Sequence, residues 1–85
     1  MTLDQLRPRQ NARILGIAAG HGLQRRLGRM GIHPGDTVSV ASRGAFRGPL
    51  LIVVHGSRVA LGRGVARRIE IEPLPESSAP PEAAR

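Results

Sequence analysis

The chain has 85 residues, a length that supplies one small hydrophobic core and therefore excludes a two-domain enzyme. All 13 basic residues are arginines and six residues are acidic, so the formal charge of +7 favours an anionic partner. The absence of cysteine excludes disulfides, zinc knuckles and thiol nucleophiles, and the longest apolar run, residues 49–54, is too short to span a membrane. We expect a cytoplasmic protein, because the N-terminus lacks the pattern of a secretion signal.

The first part of the chain predicts a strand followed by one helix. Residues 12–17 alternate between two faces, which is typical of a β-strand. Leu23, Leu27 and Met30 then fall at helical spacing and predict the apolar stripe of a short helix. Gly31 is expected to end this helix, because glycine enters the left-handed conformation at little cost.

The second part of the chain predicts four further strands, since apolar residues there recur with a period of two. Two of these strands are joined so closely that they predict a hairpin. The predicted elements are, in order, a turn at Pro34-Gly35, a strand containing Val38 and Val40, a loop over 42–48, a strand over 50–54, a tight turn at Gly56-Ser57, a strand over 58–61, a single helical turn within 62–66 and a last strand containing Ile69 and Ile71.

Five short strands with one helix after the first predict a mainly β fold, a small closed or nearly closed barrel. Closure removes the unpaired strand edges that otherwise promote aggregation. We expect this domain to cover residues 1–72. Residues 73–85 contain four prolines among small and acidic residues and predict a disordered tail, which serves either as a solubilising end or as a docking segment.

The positive charge is confined to the body of the chain. Residues 1–69 carry twelve arginines against two aspartates, net +10, whereas residues 70–85 carry four glutamates against one arginine, net −3. Phe46 is the sole aromatic residue, so the chain lacks the stacking platforms of single-strand nucleic-acid binders. A protein-interaction module is therefore favoured, and a basic small-barrel nucleic-acid-binding protein stays as the alternative.

No residue pattern predicts catalysis, a cofactor or a metal site. The acidic residues form no acid–base pair, and the chain has neither a serine nucleophile motif nor a phosphate-binding loop, so we expect that it is not an enzyme. His21, His33 and His55 lie 12 and 22 residues apart on different predicted elements. Ligands of a metal site usually show a tighter, recognisable spacing.

Clustered arginines are the strongest candidates for partner binding. Arg25, Arg26 and Arg29 are expected to project from the helix opposite its apolar stripe, and residues 63–68 contain a second cluster. A guanidinium group binds carboxylates and phosphates through two parallel hydrogen bonds, so either cluster could hold an acidic partner. An ordinary solvated helix face is the alternative interpretation.

Several short motifs follow one another in a characteristic order over about residues 3–71. The most specific is the Arg-Leu…Met-Gly-Ile…Pro-Gly block over 26–35, followed by Gly48-Pro49-Leu50. The other motifs are Leu3-Asp4-Gln5-Leu6 with Pro8, Ala12-Arg13-Ile14 leading to Ile17, Val54-His55-Gly56, Ala60-Leu61, Ala66 and Ile69-Glu70-Ile71. This order resembles the ferrous iron transport protein A family, FeoA. One departure is Arg9, since such sequences usually carry glycine after the proline at this point.

The resemblance implies an SH3-like barrel with an inserted helix. It also implies a small cytoplasmic accessory protein of bacterial ferrous iron uptake, which contacts the FeoB transporter and its GTP-binding domain rather than catalysing a reaction. A homo-oligomer is compatible with the small size of the domain, and contact of Fe(II) with His33 or His55 stays an open alternative. The candidate partner-binding residues are Arg25, Arg26, Arg29, Gly48, Pro49 and Leu50.

Overall fold

One antiparallel sheet of five strands makes up most of the molecule. The computed structural model describes residues 1–44 and 48–75. The strand order is β4-β3-β2-β1-β5, with a helix inserted between β1 and β2, which confirms the predicted mainly β fold. The elements in chain order are a 3₁₀ turn (Leu3–Gln5), β1 (Asn11–Ile17), α1 (His21–Arg29), β2 (Thr37–Arg43), β3 (Leu50–Val54), β4 (Ser57–Leu61), α2 (Arg63–Ala66) and β5 (Ile69–Pro73).

A single hydrophobic core receives buried side chains from every strand, both helices and the N-terminal turn. The edge strands β4 and β5 contribute Leu61 and Ile69 to this same core, so the sheet curls around it. The outer edge of β5 is covered by the N-terminus, because Thr2 pairs with Glu70 and the Ile71 N–H donates to Met1 O at 2.8 Å. Covering an edge in this way removes a site for unwanted strand pairing.

The end of α1 is set by a glycine in the left-handed conformation. Gly31 has φ +83°, its N–H donates to Gly28 O at 3.0 Å, and the Ile32 N–H donates to Leu27 O at 2.9 Å. These two bonds satisfy carbonyl groups that a helix end otherwise leaves unpaired. The predicted helix and its stop are confirmed, except that Met30 lies past the last helical residue and is 37% exposed.

The predicted loop over 42–48 begins too early. Ser42 and Arg43 belong to β2, where they pair with Leu51 and Leu50 beyond an irregularity that follows Val40. A tertiary contact holds this extension in place, because the Arg43 guanidinium donates to Leu6 O at 2.8 Å and to Asp4 O at 2.6 Å. The local sequence carries no sign of partners that lie almost 40 residues away.

The hairpin between β3 and β4 turns one residue earlier than predicted. Its two central residues are His55, with φ 52°, and Gly56, with φ 77°, while Ser57 already belongs to β4. A two-residue hairpin turn with positive φ at both positions matches the right-handed twist of the flanking strands. This conformation places the His55 ring beside the turn between α1 and β2, where its Cδ2 lies 3.3 Å from the position that a Cβ on residue 31 would occupy.

The sheet extends slightly past the predicted domain boundary at residue 72. Pro73 is the last residue of β5 and pairs with Ala12, and the Leu74 N–H donates to Asn11 O at 2.8 Å. The predicted disordered tail, residues 73–85, therefore begins with a residue of the sheet. Residues 76–85 of that tail lie outside the described residues, so its disorder stays a prediction.

Arg9 occupies a backbone position that favours glycine. Its φ is 68°, in a turn with Pro8 at the second position and closed by the Gln10 N–H, which donates to Arg7 O at 3.1 Å. We expect Arg9→Gly to raise the free energy of unfolding by about 0.5–1 kcal/mol, since relief of left-handed strain exceeds the entropy that glycine loses on folding. Urea denaturation measures this change.

The matched control for this substitution is Arg7→Gly. Arg7 lies in the same turn but has no positive φ, so glycine there brings an entropy cost without relieving strain. A loss of stability in Arg9→Gly similar to that in Arg7→Gly would contradict the assignment of strain to Arg9.

Candidate functional site

A shallow groove of about 810 Å³ runs along the exposed side of α1. His21, Arg25 and Arg29 follow each other at i, i+4 and i+8, so they form one row along the helix. Leu27 points the opposite way and is fully buried in the core. The residues that line the groove are His21, Gln24, Arg25, Gly28, Arg29 and His33.

The lining of this arginine groove contains no acidic side chain. Within residues 1–44 and 48–75 each acidic residue lies beside a basic group or a histidine outside the lining or, for Asp36, in the turn that follows α1. Asp4 lies 3.9 Å from Arg67, Glu70 bonds the N-terminal ammonium at 2.5 Å, and Glu72 is the cross-strand neighbour of Arg13. Asp36 contacts two histidines. The positive potential of the arginine groove is therefore not neutralised by the acidic groups of this part of the chain.

A histidine cluster, composed of His33, Asp36 and His55, joins the turn after α1 to the turn between β3 and β4. His55 Nε2 lies 3.1 Å from Asp36 Oδ1, and His33 Nδ1 lies 3.4 Å from Asp36 Oδ2. The backbone N–H of His33 also donates to Asp36 Oδ2 at 2.8 Å. The intervening Pro34-Gly35 turn was predicted, and it is closed by the Asp36 N–H, which donates to His33 O at 3.1 Å.

The histidine cluster does not form a metal site in the part of the chain that the structure describes. No three His, Asp or Glu side chains there form a group that could hold a metal ion. His33 and His55 approach opposite oxygens of Asp36, so their nitrogens do not meet the carboxylate at one point. As arranged, the cluster is a bridge between two turns.

The pKa of Asp36 is lowered from its ordinary value of 3.8, chiefly because the backbone N–H of His33 donates to the carboxylate; partial burial opposes this and nearby His55 reinforces it. A carboxyl whose pKa is lower in the folded state stabilises the fold above its unfolded pKa, and this contribution is lost as the pH falls. We expect Asp36→Asn to be less stable than the parent chain near neutral pH, with a difference that shrinks below about pH 4.

Urea denaturation of both chains at several pH values measures this difference. Thr37→Ala, which removes an exposed polar group next to Asp36, is the matched control and should show no such pH dependence. A stability difference for Asp36→Asn that stays constant down to about pH 2.5 would contradict the assignment.

The six predicted partner-binding residues separate into different environments. Arg25 and Arg29 line the arginine groove, whereas Arg26 is exposed on α1 outside the lining. Pro49 is exposed and Gly48 half-buried at the start of β3, and neither lines the groove. Leu50 is 0% exposed and belongs to the core, so its side chain is unavailable to a partner. The structure thus brings two of the six residues together in one groove.

The groove also contains residues that were not among the predicted partner-binding set, namely His21, Gln24, Gly28 and His33. The spacing of His21 to the two arginines was a usable signal, because residues four apart share a helix face. The position of His33 had no such signal. It depends on how the chain leaves the helix at Gly31.

No helix within residues 1–44 and 48–75 is long and apolar enough to cross a membrane. This agrees with the short apolar runs in the sequence.

Comparison with known proteins gives a consistent family. The FeoA domain matches residues 1–73. A protein of Methanocaldococcus jannaschii, provisionally named Fe(2+) transport protein A, is 41% identical over 56 residues, which cover 66% of this chain and 66% of that relative. The aligned part thus spans slightly less than two thirds of the relative's length.

Solved structures agree with this match. An iron uptake regulatory protein, FeoA, is 32% identical with a TM-score of 0.79, covering 87% of this chain and 96% of that one. FeoA of Stenotrophomonas maltophilia complexed with zinc, a prokaryotic SH3-domain protein, is 29% identical with a TM-score of 0.73, covering 85% and 89%. These similarities confirm the SH3-like fold. The FeoA domain matches most of the length of this chain, so the chain belongs to the FeoA family.

Proposed function

We propose that this chain is a cytoplasmic accessory protein of ferrous iron uptake that binds the FeoB transporter at its GTP-binding domain. Membership of the FeoA family supports the link to iron transport. The observation that carries the contact is the arginine groove, whose Arg25 and Arg29 have no acidic neighbour in the lining. The role is a protein contact, not a reaction.

The chemistry of the groove fits an acidic protein segment. Arg25 and Arg29 lie one helical turn apart, so carboxylates on an extended or helical segment can reach both. Gln24 adds an amide group, although its Nε2 already donates to Ala19 O at 2.8 Å. The groove is open and shallow, which suits a protein surface better than an enclosed small molecule.

The direct test is isothermal titration of the purified chain with the purified GTP-binding domain of the cognate transporter. We expect saturable binding that weakens as the salt concentration rises, because screening reduces the attraction between exposed charges. A glutamate-rich peptide should compete with the transporter domain for the chain. Absence of binding at low salt would contradict the proposal.

The arginine surplus also favours a second candidate function, nucleic-acid binding by a small basic barrel. This function predicts an affinity that falls linearly with salt on a double logarithmic scale, with a slope set by the number of phosphates contacted. Titration with duplex and single-stranded DNA at low salt distinguishes the two candidates. A flat titration would remove nucleic acid, and strong binding that displaces the transporter domain would favour it.

A further inference from the structure

The His33 ring connects the histidine cluster to the arginine groove. Its Nδ1 faces Asp36, and its Nε2 lies 3.2 Å from the position that a Cβ on residue 28 would occupy. Residue 28 is a glycine, and it lines the groove together with His33, so no side chain at position 28 covers the Nε2 edge of the ring. The His33 side chain is 59% exposed, which leaves this edge within reach of a bound partner.

Asp36 determines which way the ring of His33 presents its two nitrogens. His33 Nδ1 lies 3.4 Å from Asp36 Oδ2. Because the pKa of Asp36 is lowered, its carboxylate is ionised near neutral pH and favours the tautomer that carries the proton on Nδ1. Nε2 of a neutral imidazole is then an acceptor that repels a carboxylate, whereas Nε2 of the protonated ring is a donor carrying positive charge. The remaining charged and titratable groups around the ring are His21, Arg25 and Arg29 on α1 and His55 across the cluster.

We propose that His33 is a conditional anion-binding residue of the arginine groove, with Asp36 as its positioning residue. In the protonated state its Nε2–H donates to a carboxylate of the acidic partner segment held by Arg25 and Arg29. The partner therefore binds more tightly as the pH falls from about 8 to about 5.5. This inference rests on the proposed function, because it concerns the same groove.

The size of the effect follows from one hydrogen bond. A charge-assisted hydrogen bond that replaces an acceptor–acceptor repulsion corresponds to about a tenfold change in affinity. Guanidinium groups are not deprotonated in proteins, so the two groove arginines do not produce the dependence on pH. His21 also lines the groove and has to be separated from His33 by experiment.

The test is titration of the chain with a glutamate-rich peptide at about pH 5.5 and about pH 8. We expect about tenfold tighter binding at the lower pH. His33→Gln, measured with and without His21→Gln, should lose most of this ratio. His55→Gln is the matched control, because His55 contacts the same Asp36 but does not line the groove, and it should keep the ratio.

Two further variants separate orientation from charge. Gly28→Ala should displace the ring from the groove and reduce the ratio, while circular dichroism reports an intact fold. Asp36→Asn should reduce the ratio of the peptide affinities at the two pH values, because the asparagine no longer orients the His33 ring. The change in the ¹⁵N chemical shift of His33 Nε2 on addition of the peptide should be smaller in this variant than in the parent chain. An unchanged pH ratio in His33→Gln would overturn the inference.

Parallel titrations with the transporter domain keep the two proposals apart. If that domain binds the parent chain and its affinity shows no dependence on His33 at either pH, the inference fails and the proposed function stands. If neither the peptide nor the domain binds the parent chain at either pH, the proposed function itself fails, and the inference with it.

Discussion

Reversing both groove arginines, Arg25→Glu together with Arg29→Glu, is expected to weaken binding to the transporter's GTP-binding domain by at least about 100-fold. Each arginine contributes a charge-assisted hydrogen bond, and the new carboxylates repel the acidic partner. Isothermal titration at low salt measures the loss. The expected effect is large because both side chains lie in one groove that contains no acidic residue.

The fold should survive this double reversal. Both arginines are exposed. Like charges four residues apart on a helix repel each other mildly, and this repulsion is present in the parent chain as well as in the variant. Of the two substitutions, only Arg29→Glu lies in the last turn of α1, where it interacts unfavourably with the helix dipole by less than about 1 kcal/mol. An unchanged circular dichroism spectrum would therefore assign the loss of binding to the surface rather than to unfolding.

The matched control is Arg7→Glu together with Arg58→Glu. These exposed residues lie outside the groove, and their reversal lowers the net charge by the same amount as the groove variant. If the contact is local, the control should retain most of its affinity. Equal losses in both variants would show that only the total charge matters, and would contradict the groove as the contact surface.

Arg26→Glu gives a finer comparison within the same helix. Arg26 is adjacent to Arg25 in sequence but does not line the groove, so its reversal should cost much less affinity than Arg25→Glu. An equal loss would extend the contact to the whole exposed face of α1. A smaller loss for Arg26→Glu than for Arg25→Glu would support a contact that is restricted to the arginine groove, whose lining is set by the three-dimensional structure and not by adjacency in the sequence.

Replacing Leu27 by alanine is expected to lower the free energy of unfolding by about 2–5 kcal/mol. Leu27 is fully buried and is the residue through which the middle of α1 enters the core. Truncation removes apolar contacts and leaves a cavity that the surrounding strands fill only in part. For a domain of this size the change corresponds to a fall in Tm of at least about 10 °C.

Leu23→Ala is the control for this stability prediction. Leu23 lies one turn earlier on the same helix but is only half-buried against the core, so it should cost distinctly less. Thermal and urea denaturation of both variants measure the difference. A loss for Leu27→Ala below that for Leu23→Ala would show that α1 is held to the sheet by contacts other than its buried leucine.

Leu27 and the two groove arginines lie on opposite sides of one helix. Leu27 holds α1 on the core, and Arg25 and Arg29 face the solvent from the same two turns. The double arginine reversal should therefore weaken binding at an unchanged Tm, whereas Leu27→Ala should lower the Tm. The two results together separate the binding function of the surface from the stability of the domain.

Local features of the sequence were sufficient for most of the secondary structure. Alternating residues predicted β1 and β2, apolar spacing predicted α1, and Gly31 and Pro34-Gly35 predicted how the chain leaves the helix. These signals succeed because strand faces, helix stripes and glycine-dependent turns depend on residues only a few positions apart. The resemblance to a family was likewise carried by short motifs in order.

The errors arose where distant residues decide the outcome. Arg43 extends β2 because it reaches backbone carbonyls near the N-terminus. Leu50 enters the core because it pairs with this extension at Arg43 and lies on the same buried face of β3 as Ile52 and Val54. A distant contact likewise holds the turn at Arg9, a position that favours glycine, because the Arg9 N–H donates to Val40 O at 2.8 Å. In each case a contact across the sheet outweighs the local preference.

The sequence alone determined a small, basic, mainly β fold with an arginine-bearing helix, because composition and short-range periodicity are properties of neighbouring residues. The order of its short motifs added the resemblance to the FeoA family. Only the tertiary structure decided which arginines share a groove and that His33, Asp36 and His55 meet. Asp36 and His55 are 19 residues apart in the chain. Their contact exists because strand pairing brings the turn after α1 against the turn that follows β3.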